Sequence, residues 1–330
     1  MRIKKIQIKN FKSLVDFELN DLKPFCAFVG PNASGKSNIF EALEFINYIK
    51  TYRAGTFDFF KIDDIFSFLV EKVHSNPLQF QHVFDKGSPR DLKIYLRNDS
   101  KYDSPEISSN DLEQLSGEII WDDEQFTGNF SRIFVGNSKL QRINSRSLSK
   151  LATDASNLSA IIGDIFQNDK KSNDFLEWTR IIIPEFSNIE VKKSNIDGSV
   201  EFFIYEKGSL NPFPKYLISD GTYNILALMA AVYQTDEPQF LCIEEPENGL
   251  HPQAIELLVD FFREKCEEKG HHIWLNTHSQ TLVRCMEIDE IILVNKINGQ
   301  TKAKQLTKTD KIDIRTDEAW LSNALGGGVL

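Results

Sequence analysis

The alternation of apolar and polar positions predicts regular strands and a helix in the first fifty residues. Residues 2–9 and Val15 to Leu19 alternate charged and apolar side chains, which predicts two antiparallel strands joined through residues 10–13. The apolar run Phe25 to Val29 is typical of a buried strand, and apolar residues at helical spacing predict a helix over 38–49. We therefore expect an antiparallel β lobe followed by a strand and a helix.

The pattern is irregular between residues 51 and 179 and becomes regular again from residue 180. Within the irregular part we predict strands at 92–96 and 118–121 and a helix at 157–166. No apolar heptad is sustained there, which excludes a long coiled coil. From residue 180 onward we predict strands at 189–193, 200–206, 240–243, 272–276 and 290–294, and helices at 222–233, 252–268 and 280–286. Such alternation of strands and helices indicates the α/β class.

One stretch between the first apolar strand and the first helix has the spacing of a phosphate-binding loop. It fits G-x-x-x-x-G-K-[ST], here Gly30-Pro31-Asn32-Ala33-Ser34-Gly35-Lys36-Ser37, and we call it the P-loop. The two glycines let the backbone curl so that its N–H groups face phosphate oxygens. Lys36 can reach the β- and γ-phosphates, and the Ser37 hydroxyl can ligate Mg²⁺. The alternative is a glycine-bearing turn that binds nothing; the strand before it and the helix after it favour a nucleoside triphosphate.

A second stretch places acidic residues at the end of an apolar strand, in Phe240 to Glu247 (FLCIEEPE). In open α/β sheets the carboxyl ends of strands border the ligand crevice. Glu244 is therefore expected to hold Mg²⁺, directly or through water, and Glu245 to polarise the attacking water. Standing alone, the same residues would be read as a strand that ends in a solvated acidic turn.

Two further stretches have polar residues where a helix begins or a strand ends. Ser219 and Gly221 open the helix predicted at 222–233, and a helix N-terminus with serine and glycine is a good phosphate site, although in isolation it is only an N-cap. His278 follows the apolar strand predicted at 272–276, where it could contact a γ-phosphate or activated water. A lone histidine in a turn usually has no catalytic role, so this assignment depends on the other motifs.

Composition limits the partners that this chain can have. The 330 residues carry a net charge of −10, so the whole molecule is not expected to bind nucleic acid through its overall charge. A local basic stretch without acids contains Lys139, Arg142, Arg146 and Lys150, which could contact nucleic acid or form a solvated face. The four cysteines lack metal-ligand spacing, and no signal peptide or apolar run near 18 residues is present. We therefore expect a soluble protein of a reducing cytoplasm without membrane contact.

Taken in order, these motifs resemble the ABC-type ATPases of the SMC, RecF and OLD group. Asn10-Phe11-Lys12-Ser13 looks like the "NFKS" start of that group, and Asn248 to Pro252 (NGLHP) looks like its D-loop. Asp154 to Leu158 (DASNL) resembles the "DGSNL" of small OLD-like defence ATPases, such as the ATPase subunits of Septu and abortive-infection systems. Glu244 departs from the commoner aspartate of the Walker B motif. The Q-loop glutamine has only weak candidates, Gln125 and Gln141.

The resemblance implies a fold, a division of the chain and a set of site residues. It implies a P-loop ABC ATPase head formed by 1–50 and 180–330, with an amino-terminal antiparallel β lobe and an inserted mixed α/β lid region at 51–179. In such proteins the signature helix of one subunit completes the ATP site of another, so Ser219 and Gly221 would contact nucleotide in a head-to-tail dimer. By the same resemblance His278 would be the switch histidine, and Lys12 and Asn38 join the nucleotide-binding residues.

Three functions are compatible with an ATPase of this kind. The first is a switch whose ATP-driven dimerisation gates a separate effector, a nuclease, in antiphage defence. The second is a RecF- or SMC-like repair factor that binds DNA ends or gaps directly. The third is a self-sufficient nuclease with a fused Toprim domain, which would need about 100 further residues with clustered acids; we expect an ATPase that is not itself a nuclease. An effector would dock on the insert or on Trp320 to Leu330, whose apolar side chains could equally cap the sheet.

Overall fold

The structure, a computed structural model, describes residues 3–53, 78–84, 90–94, 129–135, 150–196 and 198–308. These residues belong to two compact units. The first unit comprises the described residues up to 130 together with those from 286 onward, and the second spans 131–285. The predicted strand at 118–121 lies outside the described residues, as do Lys139, Arg142, Arg146, Gln125, Gln141 and Trp320 to Leu330.

Two groups of strands and one long helix form the described part of the first unit. Its elements are β1 (Ile3–Phe11), β2 (Leu14–Leu22), β3 (Phe25–Val29), α1 (Lys36–Arg53), β4 (Leu78–Phe84), β5 (Arg90–Ile94), β12 (Ile291–Ile297) and β13 (Gln300–Gln305). β1 and β2 are antiparallel, as predicted, and extend to a four-stranded sheet in the order β2-β1-β4-β5. β3 pairs in parallel with β12, and β12 pairs antiparallel with β13. The buried strand β3 thus leads directly to the P-loop, and α1 follows it.

The second unit contains the remaining described elements. They are β6 (Phe130–Ile133), α2 (Leu158–Ile165), α3 (Asp169–Ile182), β7 (Phe186–Lys193), β8 (Val200–Glu206), β9 (Phe213–Pro214), α4 (Asp220–Tyr233), β10 (Phe240–Glu244), α5 (Pro252–Lys269), β11 (His272–Thr277) and α6 (Gln280–Cys285), with the first residue of β6 assigned to the first unit. β10 and β11 are parallel and in register from Phe240↔His272 to Glu244↔Asn276. All residues of both strands are buried, which explains their near-continuous apolar sequences.

The helices of the second unit pack apolar side chains around a common centre. α4 buries every residue from Ile225 to Tyr233, and Phe175 of α3 and Phe261 of α5 both lie edge-on or tilted against the Tyr233 ring. The Tyr233 hydroxyl donates to Asp174 at 2.7 Å, and Lys265 binds the same carboxylate at 3.1 Å. Helices α3, α4 and α5 are therefore joined by both apolar and ionic contacts.

The predicted elements after residue 180 are all present, with ends that differ by a few residues. The helix α3 was not predicted from the sequence, because only Phe175 and Ile182 form its buried apolar stripe while Ser172 and Thr179 occupy the other buried positions. Thr179 satisfies its hydroxyl by donating to the Phe175 carbonyl at 2.6 Å. Since α3 crosses residue 179, the proposed boundary between insert and head stays a prediction. No helix within the described ranges has the length and apolar character needed to cross a membrane.

Candidate active site

The P-loop connects the end of β3 to the start of α1 within the first unit. The Lys36 side chain is buried, and its Nζ donates to the carbonyl oxygens of Gly30 at 2.7 Å and Pro31 at 2.9 Å. The ammonium therefore lies inside the curl of its own loop. Lys36 and the loop backbone are thus placed together, as the spacing of the motif predicts.

A network of hydrogen bonds from small polar side chains supports the P-loop. The Thr301 hydroxyl in β13 donates to the carbonyl of Ser34 at 2.9 Å and lies 2.6 Å from the Ser13 hydroxyl. Ser13, in the turn between β1 and β2, also accepts from Asn38 Nδ2 at 2.7 Å, and its carbonyl accepts from Thr301 N at 2.8 Å. The β1–β2 turn and the β12–β13 hairpin therefore both hold the P-loop. Sequence reasoning missed Thr301, which no local motif marks.

The loop has the properties that a phosphate cradle requires. Gly35 has φ +99°, and a Cβ there would lie 1.9 Å from Thr301 Oγ1, so only glycine fits. Ala33 adopts φ +63°, an uncommon conformation for a residue with a side chain. The Ser34 hydroxyl is buried and has no hydrogen-bond partner. A curled backbone, a buried cation and an unsatisfied hydroxyl fit a bound polyphosphate.

Lys12, predicted from the resemblance to contact nucleotide, lies in the β1–β2 turn with φ +50°. Its Nζ forms an ion pair with Glu41 of α1, and both side chains are largely buried. Lys12 therefore joins the turn to the helix that follows the P-loop. Its assignment to nucleotide binding stays a prediction.

In the second unit, Glu244 ends the buried strand β10. Its Oε1 accepts from Arg132 Nε at 2.6 Å, and the guanidinium forms a second contact with the same carboxylate. Its Oε2 accepts from Asn276 Nδ2 of β11 at 3.3 Å. Arg132 and Glu244 are both nearly fully buried, so each charge is compensated by the other. Arg132 lies within the irregular part of the sequence, where no motif marked it as a site residue.

Glu245 follows β10 in a strained conformation. Its φ is +48°, and its N–H donates to the Asn276 carbonyl at 2.8 Å, which extends the contact with β11 by one residue. Its Oε2 accepts from Asn248 Nδ2 at 2.9 Å, and its Oε1 lies 3.5 Å from His278 Nδ1. The structure therefore brings together Glu245 and His278, which the sequence assigned separately to catalysis.

Glu247 forms a second link between the same two strand ends. The Thr277 hydroxyl donates to Glu247 Oε1 at 2.5 Å and accepts from Ser279 N at 2.9 Å. Burial raises the pKa of Glu247, and the hydrogen bond from Thr277 opposes that shift. Because Thr277 precedes His278, this bond fixes the backbone that carries the histidine.

The amino terminus of α4 is capped as predicted. The Ser219 hydroxyl accepts from Thr222 N at 3.1 Å and lies 2.9 Å from the Thr222 hydroxyl. A Cβ at Gly221 would lie 2.7 Å from the Gly249 carbonyl oxygen, so the helix packs closely on the turn after Glu245. Gly221 therefore has a packing role inside its own subunit, whatever it contacts elsewhere.

The DASNL stretch lies next to the same helix. Asn157 accepts from Ala152 N at 2.8 Å and donates to the Lys150 carbonyl at 2.7 Å, while the Tyr223 hydroxyl of α4 donates to the Ala155 carbonyl at 2.9 Å. Lys150 is the member of the basic stretch that the structure describes, and burial lowers its pKa to about 8. A partly buried lysine differs from the solvated cation expected at a nucleic-acid surface. Contact of the basic stretch with nucleic acid stays a prediction.

The predicted site residues fall into two groups, one in each unit. The first unit holds Lys12 and the P-loop with Asn38, and the second holds Ser219, Gly221, Glu244, Glu245 and His278. Ser37 and Glu244 were predicted from the sequence to ligate Mg²⁺, and they carry a hydroxyl and a carboxylate, which are oxygen groups that this ion prefers. No cluster of three or more possible metal-ligating histidine, cysteine, aspartate or glutamate side chains occurs among the described residues.

Curated relatives match short parts of the chain. The chromosome partition protein Smc of Methanocaldococcus jannaschii is 52% identical over 44 residues, which cover 13% of this chain and 4% of that protein. The DNA replication and repair protein RecF of Lactococcus lactis is 38% identical over 53 residues, which cover 16% of this chain and 15% of RecF. The chain thus corresponds to a small share of the length of either relative.

Solved structures match over nearly the whole chain. A crystal structure of an SMC head bound to the C-terminal winged-helix domain of ScpA gives a TM-score of 0.56 at 16% identity, covering 95% of this chain and all of that one. An Smc head of Pyrococcus furiosus with an extended coiled coil, bound to the C-terminal domain of ScpA, gives 0.51 at 14% identity, covering 93% of this chain and 97% of that one. The fold is therefore that of an ABC ATPase head of the SMC type.

A family profile covers most of the chain. Residues 25–284 match the family described as "AAA domain, putative AbiEii toxin, Type IV TA system". The match includes the P-loop, the α4 cap, the Walker B strand and His278, so it covers all the described site residues except Lys12. This chain belongs to that AAA-domain family.

Proposed function

We propose that this protein is an ATP-hydrolysing switch that dimerises head-to-tail around ATP and gates a separate effector in antiphage defence. The observation that carries the proposal is the Glu245 carboxylate, held between Asn248 and His278 directly after the Walker B residue. The chain belongs to a family whose description names a toxin and a toxin–antitoxin system, and this supports the defence role.

The roles of the residues follow from their chemistry. The P-loop N–H groups and Lys36 bind and orient the phosphates. Ser37 and Glu244 would hold Mg²⁺, whose charge would favour attack on the γ-phosphate. Glu245 orients a water molecule and accepts its proton as the water oxygen attacks phosphorus and ADP leaves. His278 lies beside Glu245, where it can contact the same water or the γ-phosphate. The products are ADP and phosphate.

Binding and turnover can be separated by two substitutions. Lys36→Ala should abolish ATP binding, because the ammonium supplies the cation for the phosphates. Glu245→Gln should retain binding but reduce hydrolysis by roughly 100-fold or more, because an amide cannot accept the proton of the attacking water. Calorimetric titration with a non-hydrolysable analogue and phosphate release measure the two quantities. Normal hydrolysis by Glu245→Gln would show that another group is the base.

The proposed dimer places Ser219 and Gly221 against the nucleotide of the partner subunit. Ser219→Asp is a sharp test, because aspartate also caps helices and would keep α4 stable while adding negative charge beside the phosphates. We expect unchanged melting and analogue binding but greatly reduced turnover. Dimer formation with the non-hydrolysable analogue is measured by light scattering. A protein that stays monomeric and still hydrolyses ATP, or a Ser219→Asp variant with native activity, contradicts the shared site.

The effector is proposed to be a separate chain, a nuclease, that docks on 51–179 or on the carboxy-terminal segment. The described residues of this protein supply ATP chemistry, and a switch acts only if something reads its two states. Expression together with the genomic neighbours, followed by purification through a tag on this chain, tests the idea. Recovery of a bare homodimer that cleaves nucleic acid unaided overturns it.

The similarity to RecF supports a second candidate, a repair ATPase that binds DNA ends or gaps directly. Such a protein should show ATP hydrolysis that is stimulated by DNA in the absence of any other protein. Gapped and blunt duplexes, compared at two salt concentrations, provide the measurement, since phosphate contacts weaken with salt. Stimulation favours the repair role, and its absence together with recovery of a bound effector favours the gated switch.

A further inference from the structure

Two neighbouring strands of the second unit hold the Glu244 carboxylate, each at a different oxygen. β6 lies on one side of β10 and β11 lies on the other. Arg132 of β6 donates from Nε to Oε1 at 2.6 Å, and its Nη2 forms an ion pair with the same oxygen. Asn276 of β11 is in register with Glu244 and donates from Nδ2 to Oε2 at 3.3 Å. The carboxylate is therefore oriented by donors from both sides of its own strand.

The strand that carries Arg132 is itself fixed on both sides of the arginine. The Ser131 hydroxyl accepts from Gln234 Nε2 at 3.2 Å, and Gln234 is the residue that follows helix α4. The Phe134 N–H donates to the Thr153 carbonyl at 2.6 Å. Because these hydrogen bonds restrain the backbone, Arg132 has little freedom to follow a displaced carboxylate.

Arg132 and Glu244 are charged groups in buried surroundings. The exposed fraction of each side chain is 3%. Removal of one partner from a buried ion pair leaves an uncompensated charge, which is strongly destabilising, whereas replacement of both partners by uncharged groups is often tolerated. Arg132 therefore compensates a carboxylate charge at the buried end of β10. Carboxylate oxygens are ligands that Mg²⁺ prefers.

The length of the Glu244 side chain matches this arrangement. ABC-type ATPases more commonly carry aspartate at the Walker B position, and an aspartate is one methylene shorter. Such a change would retract the carboxylate by roughly 1.5 Å, the length of one carbon–carbon bond. The 2.6 Å contact with Arg132 Nε could not then be kept unless β6 moved. Glutamate is therefore the acid whose reach fits a neighbouring strand that carries Arg132.

We propose that Arg132 is a positioning residue that orients the Glu244 carboxylate for Mg²⁺ and makes glutamate, rather than aspartate, necessary at that position. This inference rests on the proposed role of Glu244 in holding Mg²⁺. Arg132 acts on the metal only through Glu244, because a guanidinium has no acceptor and cannot itself be a ligand. The pair fixes the direction of the carboxylate in advance, so little orientational freedom is lost when nucleotide and metal bind.

The main test measures the Mg²⁺ concentration that gives half-maximal binding of a non-hydrolysable ATP analogue to the full-length protein. Glu244→Asp should raise this concentration about tenfold, because the shorter carboxylate loses its contact with Arg132. Arg132→Lys keeps the charge but loses the paired donors, and it should raise the concentration by a smaller factor. Arg284→Lys is the control, since it makes the same change in the exposed ion pair with Glu256 and should leave the Mg²⁺ requirement native.

A double-mutant cycle tests the ion pair in the absence of metal and nucleotide. Arg132→Met leaves the buried Glu244 carboxylate without its guanidinium and should lower the melting temperature by about 10 °C. Arg132→Met combined with Glu244→Gln removes both charges and should melt within about 3 °C of the native protein. A double variant that melts no higher than Arg132→Met contradicts the pairing.

The outcomes separate this inference from the proposed function. A native protein that does not bind the analogue, or binds it equally well without Mg²⁺, overturns the proposed function and this inference with it. If the native protein binds with Mg²⁺ and the Mg²⁺ requirement is unchanged in both Glu244→Asp and Arg132→Lys, only the inference is overturned. A loss of stability in those two variants would then show a structural role alone. If Arg132→Met fails to fold, Glu244→Asp and Arg132→Lys still decide.

Discussion

The P-loop of the first unit and the carboxylates of the second are held by different kinds of contact. Around the P-loop, the contacts are hydrogen bonds among the hydroxyl groups of Thr301 and Ser13 and a backbone carbonyl of the loop. Around Glu244 and Glu245, the hydrogen bonds come from charged and amide side chains, which belong to β6, to β11 and to the turn after Glu245. The loop therefore depends on shape, since a single added methyl group does not fit. The carboxylates depend on charge and on hydrogen-bond donors.

Glycine-to-alanine substitutions in the two units should show the largest difference between the P-loop and the carboxylates. Gly35→Ala forces a Cβ into φ +99° and against Thr301, which costs about 3 kcal/mol and should lower ATP affinity roughly 100-fold. Gly221→Ala meets the Gly249 carbonyl at 2.7 Å and should lower kcat instead, with affinity for the nucleotide retained. Calorimetric titration and phosphate release measure both variants. Equal losses of affinity would show that the two units do not divide binding and turnover in this way.

Acid should destabilise the second unit through two buried histidines at the start of β11. Burial lowers the pKa of His271 and of His272 to about 4, whereas an unfolded histidine titrates near 6.5. Between these values the unfolded chain binds protons that the folded chain does not, so stability falls as pH falls from about 6.5 to 4. At pH 5 the loss is about 2 kcal/mol per histidine.

Urea unfolding near pH 7.5 and pH 5 measures this loss. His271→Gln is the matched variant, because its amide oxygen can still accept the bond that Gln239 N donates to His271 Nδ1 at 3.3 Å. The variant should lose about half of the pH dependence attributed to the pair. An unchanged difference between the two pH values would assign the acid sensitivity to other groups.

Removal of one hydroxyl should weaken the support of the P-loop more moderately. Thr301→Val keeps the shape but loses the bonds to Ser13 and to the Ser34 carbonyl, a change of about 1–2 kcal/mol in the free energy of unfolding. ATP affinity should fall about tenfold while kcat at saturation is retained. Thr301→Ser, which keeps the hydroxyl, is the control. A kcat loss larger than the affinity loss would mean that Thr301 acts on chemistry rather than on loop position.

The sequence predicted those site residues whose evidence is local. The P-loop spacing, the Ser219 cap and the acids at the end of β10 each follow from a few neighbouring residues and from the character of the adjoining strand or helix. Ser219 is indeed the N-cap, and Glu245 and His278 do lie side by side. The ABC-head fold was predicted through the order of the same motifs and is confirmed by the SMC head structures.

Residues that act across long sequence separations were not predicted. Thr301, Arg132 and Asn276 are ordinary polar residues in their own segments, and their roles depend on which strand or helix lies beside them in three dimensions. The helix α3 was missed for a related reason, because tertiary contacts bury its serine and threonine as well as its apolar residues. Pairing of β1 with β4 likewise joins segments that no local pattern connects.

The smallest expected effect concerns two alanines with positive φ, one in each unit. Ala33 of the P-loop is exposed at φ +63°, so Ala33→Gly should relieve about 1 kcal/mol of strain against a similar entropic cost, with a net change below about 1 kcal/mol. Ala155, at φ +58°, is fully buried, and Ala155→Gly also loses the packing of its methyl group, about 1 kcal/mol. Thermal melting should therefore rank Ala33→Gly as the more stable variant. If Ala155→Gly is instead the more stable variant, burial of the methyl group does not decide the difference between the two positions. Ala33 would then make stabilising contacts of its own in the P-loop.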